Sequence, residues 1–216
     1  MNQFREGSVA GFLHRPEDGN GCGVVLTHGA GGNSNAPMLI ALAEAFGAAG
    51  YCVLRCDMAF RQHKPFGPPS PATSANDRAS LREAVTRMRK LVTGAVMLGG
   101  HSYGGRQSTM LAAEDPSLVE GLLLCSYPLH PPGKPGQPRT AHFPSLQTTA
   151  LFVHGTSDPF GTVDEITAAL RMIPAKTELA VVEGAGHDLR RGKFDVNERV
   201  VSKLRALIAA KPEHHA

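Results

Sequence analysis

Short apolar runs alternate along the chain with amphipathic segments of helical period. The runs are rich in aliphatic and β-branched residues, and they predict buried strands at 23–29, 51–57, 95–102, 119–127, 149–155 and 178–184. Helical spacing between them predicts helices at 36–50, 76–92, 104–115, 162–172 and 194–210. Strand followed by helix, repeated, predicts a mostly parallel, doubly wound α/β sheet of about 6–8 strands with helices on both faces. Residues 9–16 predict an antiparallel edge strand.

Two segments interrupt this alternation. Residues 58–75 and 128–144 are rich in proline, glycine and basic side chains, and neither has a helical period. Long loops in compact domains tend to be functional or disordered. Loops that follow parallel strands gather at the carboxyl edge of the sheet, where ligands bind. We find no internal repeat and no charge-rich linker, so residues 1–216 are predicted to form a single domain.

Composition and charge exclude several classes of protein. The net charge is +3, but the basic residues are scattered, and their densest run, 87–90, falls on a predicted helix as a solvated face. We therefore expect no nucleic-acid partner. No apolar stretch approaches the ~20 residues of a membrane span, and no secretory signal is visible. The four cysteines lack CxxC spacing, which predicts buried free thiols and a cytoplasmic protein. We expect a monomer or a homodimer.

The stretch "GHSYGG", residues 100–105, carries the strongest chemical signal. Gly100 to Gly104 match G-x-S-x-G, with a predicted strand before the motif and a predicted helix after it. In that context Ser102 occupies a tight, strained turn that exposes its hydroxyl, and the helix dipole favours negative charge beside it. The alternative is a plain glycine-rich turn.

A serine nucleophile needs a base and an orienting acid, which follow it along the chain in this architecture. Asp158 comes just after one predicted strand and His187 just after the next. Gly186 precedes His187 and is expected to let the loop turn the ring inward. The other acids fit less well: Asp188 is adjacent to the histidine, Asp164 lies in a helical pattern, and Asp57 precedes the serine.

An oxyanion hole needs two backbone N–H groups aimed at one point. One is expected from Tyr103, the residue after the nucleophile. The other is expected from the glycine-rich loop 27–37, with Ala30 the first choice and Gly31 the next. His28 and His154 each precede a glycine at a strand end and are expected to be structural.

A set of basic residues extends the predicted site. If they converge near the serine, an anionic substrate follows, and otherwise they solvate mobile loops. Together with Gly31 they are the candidate substrate-binding residues: Arg61, His63, Lys64, Arg106 and Arg139. No HxH, HExxH or paired-cysteine spacing is present, so we expect no metal, and the chemistry implies no cofactor.

The order HGAGG, GHSYGG, HGTSDPFG, GAGHD resembles the α/β-hydrolase superfamily, most closely its small dienelactone-hydrolase-like branch. Within that branch the chain is similar to testis-expressed hydrolase-like proteins and to a scaffold subunit of a chromatin acetyltransferase complex. The resemblance implies an α/β-hydrolase fold without a large cap. It also implies a serine hydrolase that cleaves a small carboxylester, thioester or lactone through an acyl-enzyme on Ser102. Dienelactone hydrolases use a cysteine nucleophile, whereas this chain has serine.

Two other functions compete with that interpretation. "GAGGNS", residues 29–34, approximates a dinucleotide-binding loop, and Asp57 follows the next strand, where a ribose-binding acid is found. That alternative leaves Ser102, Asp158 and His187 unexplained. The second is a weakly active or inactive binding or scaffold protein, because fold does not fix function.

Overall fold

The computed structural model describes residues 1–189 and 199–209. Its eight strands are β1 Asn2–Glu6, β2 Val9–His14, β3 Gly23–Thr27, β4 Cys52–Asp57, β5 Val96–His101, β6 Gly121–Cys125, β7 Ala150–Gly155 and β8 Thr177–Val182. Its helices are α1 Pro37–Ala48, α2 Ala59–His63, α3 Ser74–Leu91, α4 Tyr103–Glu114, α5 Val163–Leu170 and α6 Val201–Ala209. Strands and helices alternate as the pattern predicts.

The eight strands form one sheet in the order β1-β2-β4-β3-β5-β6-β7-β8. β1 and β2 pair antiparallel, β2 pairs antiparallel with β4, and all the remaining pairs are parallel. The chain runs outward from β3 to β4 and then returns to place β5 on the other side of β3. The ends of β3 and β5 therefore lie side by side, with Thr27 opposite Gly100. Ligands bind at such switch points in open α/β sheets.

The two faces of the sheet carry separate hydrophobic cores. α1 and α6 pack on one face, where Leu39, Phe46 and Leu204 are almost fully buried. α3, α4 and α5 pack on the other, contributing residues such as Leu81 and Leu111. Because both faces are covered, the inner strands are apolar on both sides, as their uninterrupted apolar runs indicate.

The N-terminal part and the first long loop differ from the prediction. β1 was not predicted, because Phe4 is its single apolar residue and the strand is largely exposed; β2 is therefore not the outermost strand. The segment 58–75 contains the short helix α2, and α3 begins at Ser74, two residues before the predicted start of that helix at 76. Of the C-terminal helix predicted at 194–210, residues 194–198 and 210 lie outside the described residues.

The second long loop joins β6 to β7. It contains one short 3₁₀ turn, Phe143–Ser145, and no helical cap. The absence of a large cap is thus confirmed. Among the residues described, no helix has the length and apolar character that crossing a bilayer requires.

Acid is expected to destabilise the fold partly through His14. Its Nε2 accepts a hydrogen bond from Arg55 Nε at 3.0 Å, so the ring must be neutral. Burial, then Arg55, then the N-terminal ammonium lower the pKa of His14 to about 4. In the unfolded chain His14 binds a proton near pH 6.5, whereas in the folded protein it binds one only near pH 4. The free energy of unfolding therefore falls as the pH drops from 6.5 to about 4.

The matching variant is His14→Gln, which keeps an acceptor oxygen for Arg55 but does not titrate. We expect its free energy of unfolding, measured in urea between pH 4.5 and 6.5, to depend less on pH than that of the wild type. The slope of the unfolding free energy against pH reports the number of protons taken up on unfolding. The two proteins should differ in that number by nearly one proton and by no more than one. Identical slopes for the two proteins would contradict the assignment.

Candidate active site

Ser102 stands at the turn between β5 and α4. Its backbone has φ 51° and ψ −116°, in the left-handed region that residues with a side chain rarely adopt. Its N–H donates to the Cys125 carbonyl at 2.9 Å, and its carbonyl accepts from Arg106 N at 3.0 Å. Bonds on both sides hold the strained turn, so the side chain points away from the sheet edge as the motif predicts.

The flanking glycines make this turn possible. A Cβ at Gly100 would lie 2.8 Å from the Thr27 carbonyl oxygen. A Cβ at Gly104 would lie 2.6 Å from the His28 carbonyl oxygen. Both contacts are with backbone, which has no room to move. The glycines therefore let the turn at Ser102 and α4 pack directly against the end of β3.

Ser102, His187 and Asp158 form a continuous hydrogen-bonded chain. Ser102 Oγ lies 2.8 Å from His187 Nε2, and His187 Nδ1 lies 3.0 and 2.9 Å from the two carboxylate oxygens of Asp158. The carboxylate can only accept, so Nδ1 carries the proton and Nε2 is free to accept from the serine hydroxyl. The Asp158 side chain is fully buried and also accepts from Phe160 N at 2.9 Å. A serine nucleophile, its base and an orienting acid require an arrangement of this kind.

The loop that carries His187 turns at a glycine other than the one we expected. Gly186 was expected to orient the ring, but it has no positive φ, and a Cβ there would meet nothing closer than 3.9 Å. The turn is made at Gly184, where φ is 71°. The close approach occurs at Gly155, where a Cβ would lie 2.2 Å from the Ala185 carbonyl oxygen. Those two glycines bring the loop onto the end of β7.

Two further residues contact His187, one at its backbone and one at its ring, and sequence reasoning missed both. His101 Nε2 donates to the His187 carbonyl at 2.8 Å. Burial lowers the pKa of His101, which favours the neutral ring over the charged one. The Phe160 ring lies 4.2 Å from the His187 ring, tilted by 31°. Their positions in the sequence could have pointed to both residues. His101 directly precedes Ser102, and Phe160 is two residues after Asp158.

Ala30 and Tyr103 both border the serine. Tyr103 is the first residue of α4, where backbone N–H groups lack partners within the helix. Within the described residues, neither the Tyr103 N–H nor the Ala30 N–H donates to a protein acceptor. The Tyr103 hydroxyl donates to Asp77 Oδ2 at 2.8 Å, which ties this residue to α3. Asp77 thus anchors the residue that follows Ser102.

The glycine-rich loop is braced from two sides. Arg61 is 6 % exposed and donates to the Ala30 carbonyl at 2.8 Å and the Gly67 carbonyl at 3.0 Å. Asp57 accepts from Ser34 N at 2.6 Å and from Ser34 Oγ at 3.0 Å. Its carboxylate is therefore engaged by the loop itself, which weakens the dinucleotide-binding alternative.

The two other histidines at strand ends are bonded to backbone. His28 Nδ1 donates to the Gly29 carbonyl at 2.8 Å, and its Nε2 accepts from Met58 N at 3.2 Å. His154 Nε2 donates to the Gly161 carbonyl at 2.7 Å. Both have the structural contacts that the sequence predicts.

Comparison with known proteins identifies the family. The family model for the alpha/beta hydrolase domain matches residues 21–209. The chain belongs to the α/β-hydrolase family. Est1E from Butyrivibrio proteoclasticus is similar in structure, with a TM-score of 0.73, 18% identity, and coverage of 93% of this chain and 94% of Est1E.

Two other solved structures bear on the cap and the branch. XC6422 from Xanthomonas campestris, described as an α/β serine hydrolase without lid, gives a TM-score of 0.70 at 19% identity, covering 94% of this chain and 90% of that one. A dienelactone hydrolase from Anabaena variabilis gives 0.66 at 19% identity, covering 90% and 87%. This α/β-hydrolase therefore has the cap-less, dienelactone-hydrolase-like form of the fold.

The candidate substrate-binding residues of this α/β-hydrolase do not all converge. Arg106 and Arg139 line one cleft with Ser102, and Gly31 lines another with it. The convergence expected for His63 and Lys64 is wrong. α2 directs Arg61 inward to the loop carbonyls, whereas His63 and Lys64 at its end line a separate cleft with Ser8, Phe60 and Glu83.

Ser102 of the α/β-hydrolase lies between two clefts. The first has a volume of about 550 Å³ and a largely apolar wall that includes Ala41, Met38, Phe160 and Leu189, with His187 beside the serine. The second has a volume of about 420 Å³, and Arg106 and Arg139 belong to its wall. We call them the apolar cleft and the basic cleft. A substrate centred on Ser102 has room to extend in both directions.

Proposed function

We propose that this protein is a serine hydrolase that cleaves a small ester-type substrate through an acyl-enzyme on Ser102. The substrate class covers carboxylesters, thioesters and lactones, which all react through the same machinery. The observation that carries the proposal is the hydrogen-bonded chain from Ser102 Oγ through His187 to buried Asp158. The strained backbone of Ser102 supports it, since such strain concentrates at active sites.

Acylation follows from these positions. His187 Nε2 accepts the Ser102 proton while Oγ attacks the carbonyl carbon, forming a C–O bond and a tetrahedral oxyanion. The N–H groups of Ala30 and Tyr103 hold the oxyanion, and Asp158 stabilises the imidazolium. The intermediate collapses as the ester bond breaks, and the imidazolium returns the proton to the leaving oxygen or sulfur.

Deacylation repeats the sequence with water. His187 accepts a proton from water, the resulting hydroxide adds to the acyl carbon, and the bond to Ser102 Oγ breaks as Oγ regains a proton. The products are a carboxylic acid and an alcohol or thiol. No step calls for a cofactor, a metal or a second macromolecule. We also propose a cytoplasmic location, which the free cysteines favour.

The structural neighbours support this chemistry at the level of class. One is described as an α/β serine hydrolase homologue, and another as Est1E with ferulic acid bound. They are 18% and 17% identical to this chain, and at that level the similarity establishes the shared fold alone. The assignment to ester cleavage rests on the site geometry of this chain.

The deciding experiment combines labelling with turnover. A fluorophosphonate probe is expected to modify the wild-type protein, and mass spectrometry should locate the adduct on Ser102. Hydrolysis of 4-nitrophenyl esters with acyl chains of two to twelve carbons should then give an optimum that reports the pocket size. The absence of both labelling and turnover would favour a binding or scaffold protein on a hydrolase fold.

Arg61 is expected to act as a positioning residue for the oxyanion loop. Arg61→Met keeps similar bulk but removes the donors to Ala30 and Gly67. With the loop less firmly held, kcat for a 4-nitrophenyl ester should fall about tenfold while KM changes little, since geometry in the transition state is lost. Arg61→Lys should recover part of kcat. A tenfold rise in KM with kcat unchanged would argue against this role.

A further inference from the structure

Two arginines face the basic cleft without a carboxylate partner. Among the described residues, no Asp or Glu oxygen lies within ion-pairing distance of the guanidinium of Arg106 or Arg139, and Arg106 Nε is buried without a hydrogen-bond partner. By contrast, the arginines of α3 with a carboxylate partner are Arg78, Arg82, Arg87 and Arg89. Arg106 and Arg139 therefore differ from these arginines of α3, each of which has a carboxylate beside its guanidinium.

Arg106 and Arg139 line the same cleft as Ser102, and hydrogen bonds fix the backbone of both. Arg106 lies one helical turn after Ser102, on the same face of α4, and its N–H donates to the Ser102 carbonyl at 3.0 Å. The loop that carries Arg139 is fixed by two bonds of 2.7 Å, from Arg139 N to the Leu129 carbonyl and from the Tyr127 hydroxyl to the Arg139 carbonyl. Burial and the charge of Arg106 lower the pKa of Arg139.

The rest of the basic cleft supplies little that competes for an anion. Four prolines, a phenylalanine and two serines make up much of its wall, and proline has no N–H to donate. Two like charges held together in such a wall cost electrostatic energy, and a bound anion removes that cost. The planar fork of a guanidinium fits a carboxylate with two parallel hydrogen bonds.

The position of His187 orients the substrate. It must return a proton to the leaving oxygen, so the leaving group lies on the side of Ser102 where the imidazole lies. His187 borders the apolar cleft and does not border the basic cleft. The leaving alcohol therefore occupies the apolar cleft, and the acyl chain extends toward Arg106 and Arg139.

We propose that the acyl part of the substrate carries a second carboxylate, which Arg106 and Arg139 bind, so that the preferred substrate is a monoester of a dicarboxylic acid with an apolar alcohol. The inference rests on the proposed ester hydrolysis and names its substrate class. Hydrolysis of such a monoester adds water across the ester bond and releases the free dicarboxylate and the alcohol.

The first test compares matched esters. Mono-(4-nitrophenyl) adipate has a carboxylate where 4-nitrophenyl hexanoate has a methyl group, and 4-carboxyphenyl hexanoate places the charge on the leaving group. In Arg106→Gln and in Arg139→Gln, the ratio of kcat/KM for the adipate ester to kcat/KM for 4-nitrophenyl hexanoate should fall about 10- to 100-fold. Arg106→Lys should restore part of the ratio. Exposed Arg171, at the end of α5, gives the control Arg171→Gln, which should leave the ratio unchanged.

Two results would overturn the inference. One is an unchanged ratio in both glutamine variants. The other is a loss seen with 4-carboxyphenyl hexanoate in place of the adipate ester, which would put the anion on the leaving group.

A binding measurement separates this inference from the proposed function. Calorimetry of monobutyl adipate with Ser102→Ala should detect binding, which should weaken about tenfold or more when Arg106→Gln is added. Arginine-dependent binding without turnover of any ester by the wild type would leave the anion site standing and reject ester hydrolysis. Turnover of neutral esters, together with binding that does not depend on the arginines, would support ester hydrolysis and reject the anion site.

Discussion

Ser102→Ala and His187→Ala are each expected to lower kcat for 4-nitrophenyl esters by about 10⁴- to 10⁶-fold, and the double variant by no more than either alone. The reason is that the two side chains act as one unit, joined by a 2.8 Å hydrogen bond. Without the imidazole the hydroxyl is not deprotonated, and without the hydroxyl the imidazole has no nucleophile to activate. Steady-state kinetics on the three variants measures this directly.

The matched control is His63→Ala. His63 lies on the same edge of the molecule but lines a cleft that does not include Ser102. Its removal should leave kcat and KM unchanged, although the sequence had placed it near the substrate. Effects of Ser102→Ala and His187→Ala that multiply in the double variant would show that the two residues act independently and would reject the triad mechanism.

Much of this site was predictable because it depends on chain order. In a parallel sheet every strand delivers its following loop to the same edge, so Ser102, Asp158 and His187 meet although they are far apart in sequence. The spacing of apolar runs located those strands to within a few residues. The strands end near the predicted positions, and that was sufficient to pick out the three side chains.

The direction of a long side chain was not predictable in the same way. Arg61 and His63 lie two residues apart, yet one points to the Ala30 carbonyl and the other to a separate cleft. Both belong to α2, and residues two apart on a helix do not face the same side. A five-residue helix in a segment rich in proline and glycine has no periodicity to detect. The three-dimensional structure was therefore needed to show that His63 and Lys64 line a cleft separate from the basic cleft of Arg106 and Arg139.

The packing of the glycine-rich turn leads to the second large effect. Gly104→Ala is expected to destabilise the protein by about 2 kcal/mol or more, because the new Cβ would lie 2.6 Å from the His28 carbonyl oxygen and 2.7 Å from Thr27 Cγ2. Relief requires α4 to move away from β3, which also displaces Tyr103 and the nucleophile turn. Urea unfolding gives the stability, and fluorophosphonate labelling of Ser102, expected to slow, reports the turn.

Gly47→Ala provides the matched control, since Gly47 also lies within a helix, α1, and a Cβ there would meet nothing within 4 Å. Alanine is the better helix former, so this variant should be more stable by about 0.5–1 kcal/mol. The same substitution in two helices is thus expected to have opposite signs, and the difference is caused by the backbone facing Gly104. If Gly104→Ala were as stable as Gly47→Ala and labelled at the wild-type rate, α4 would not be packed against β3 through this glycine.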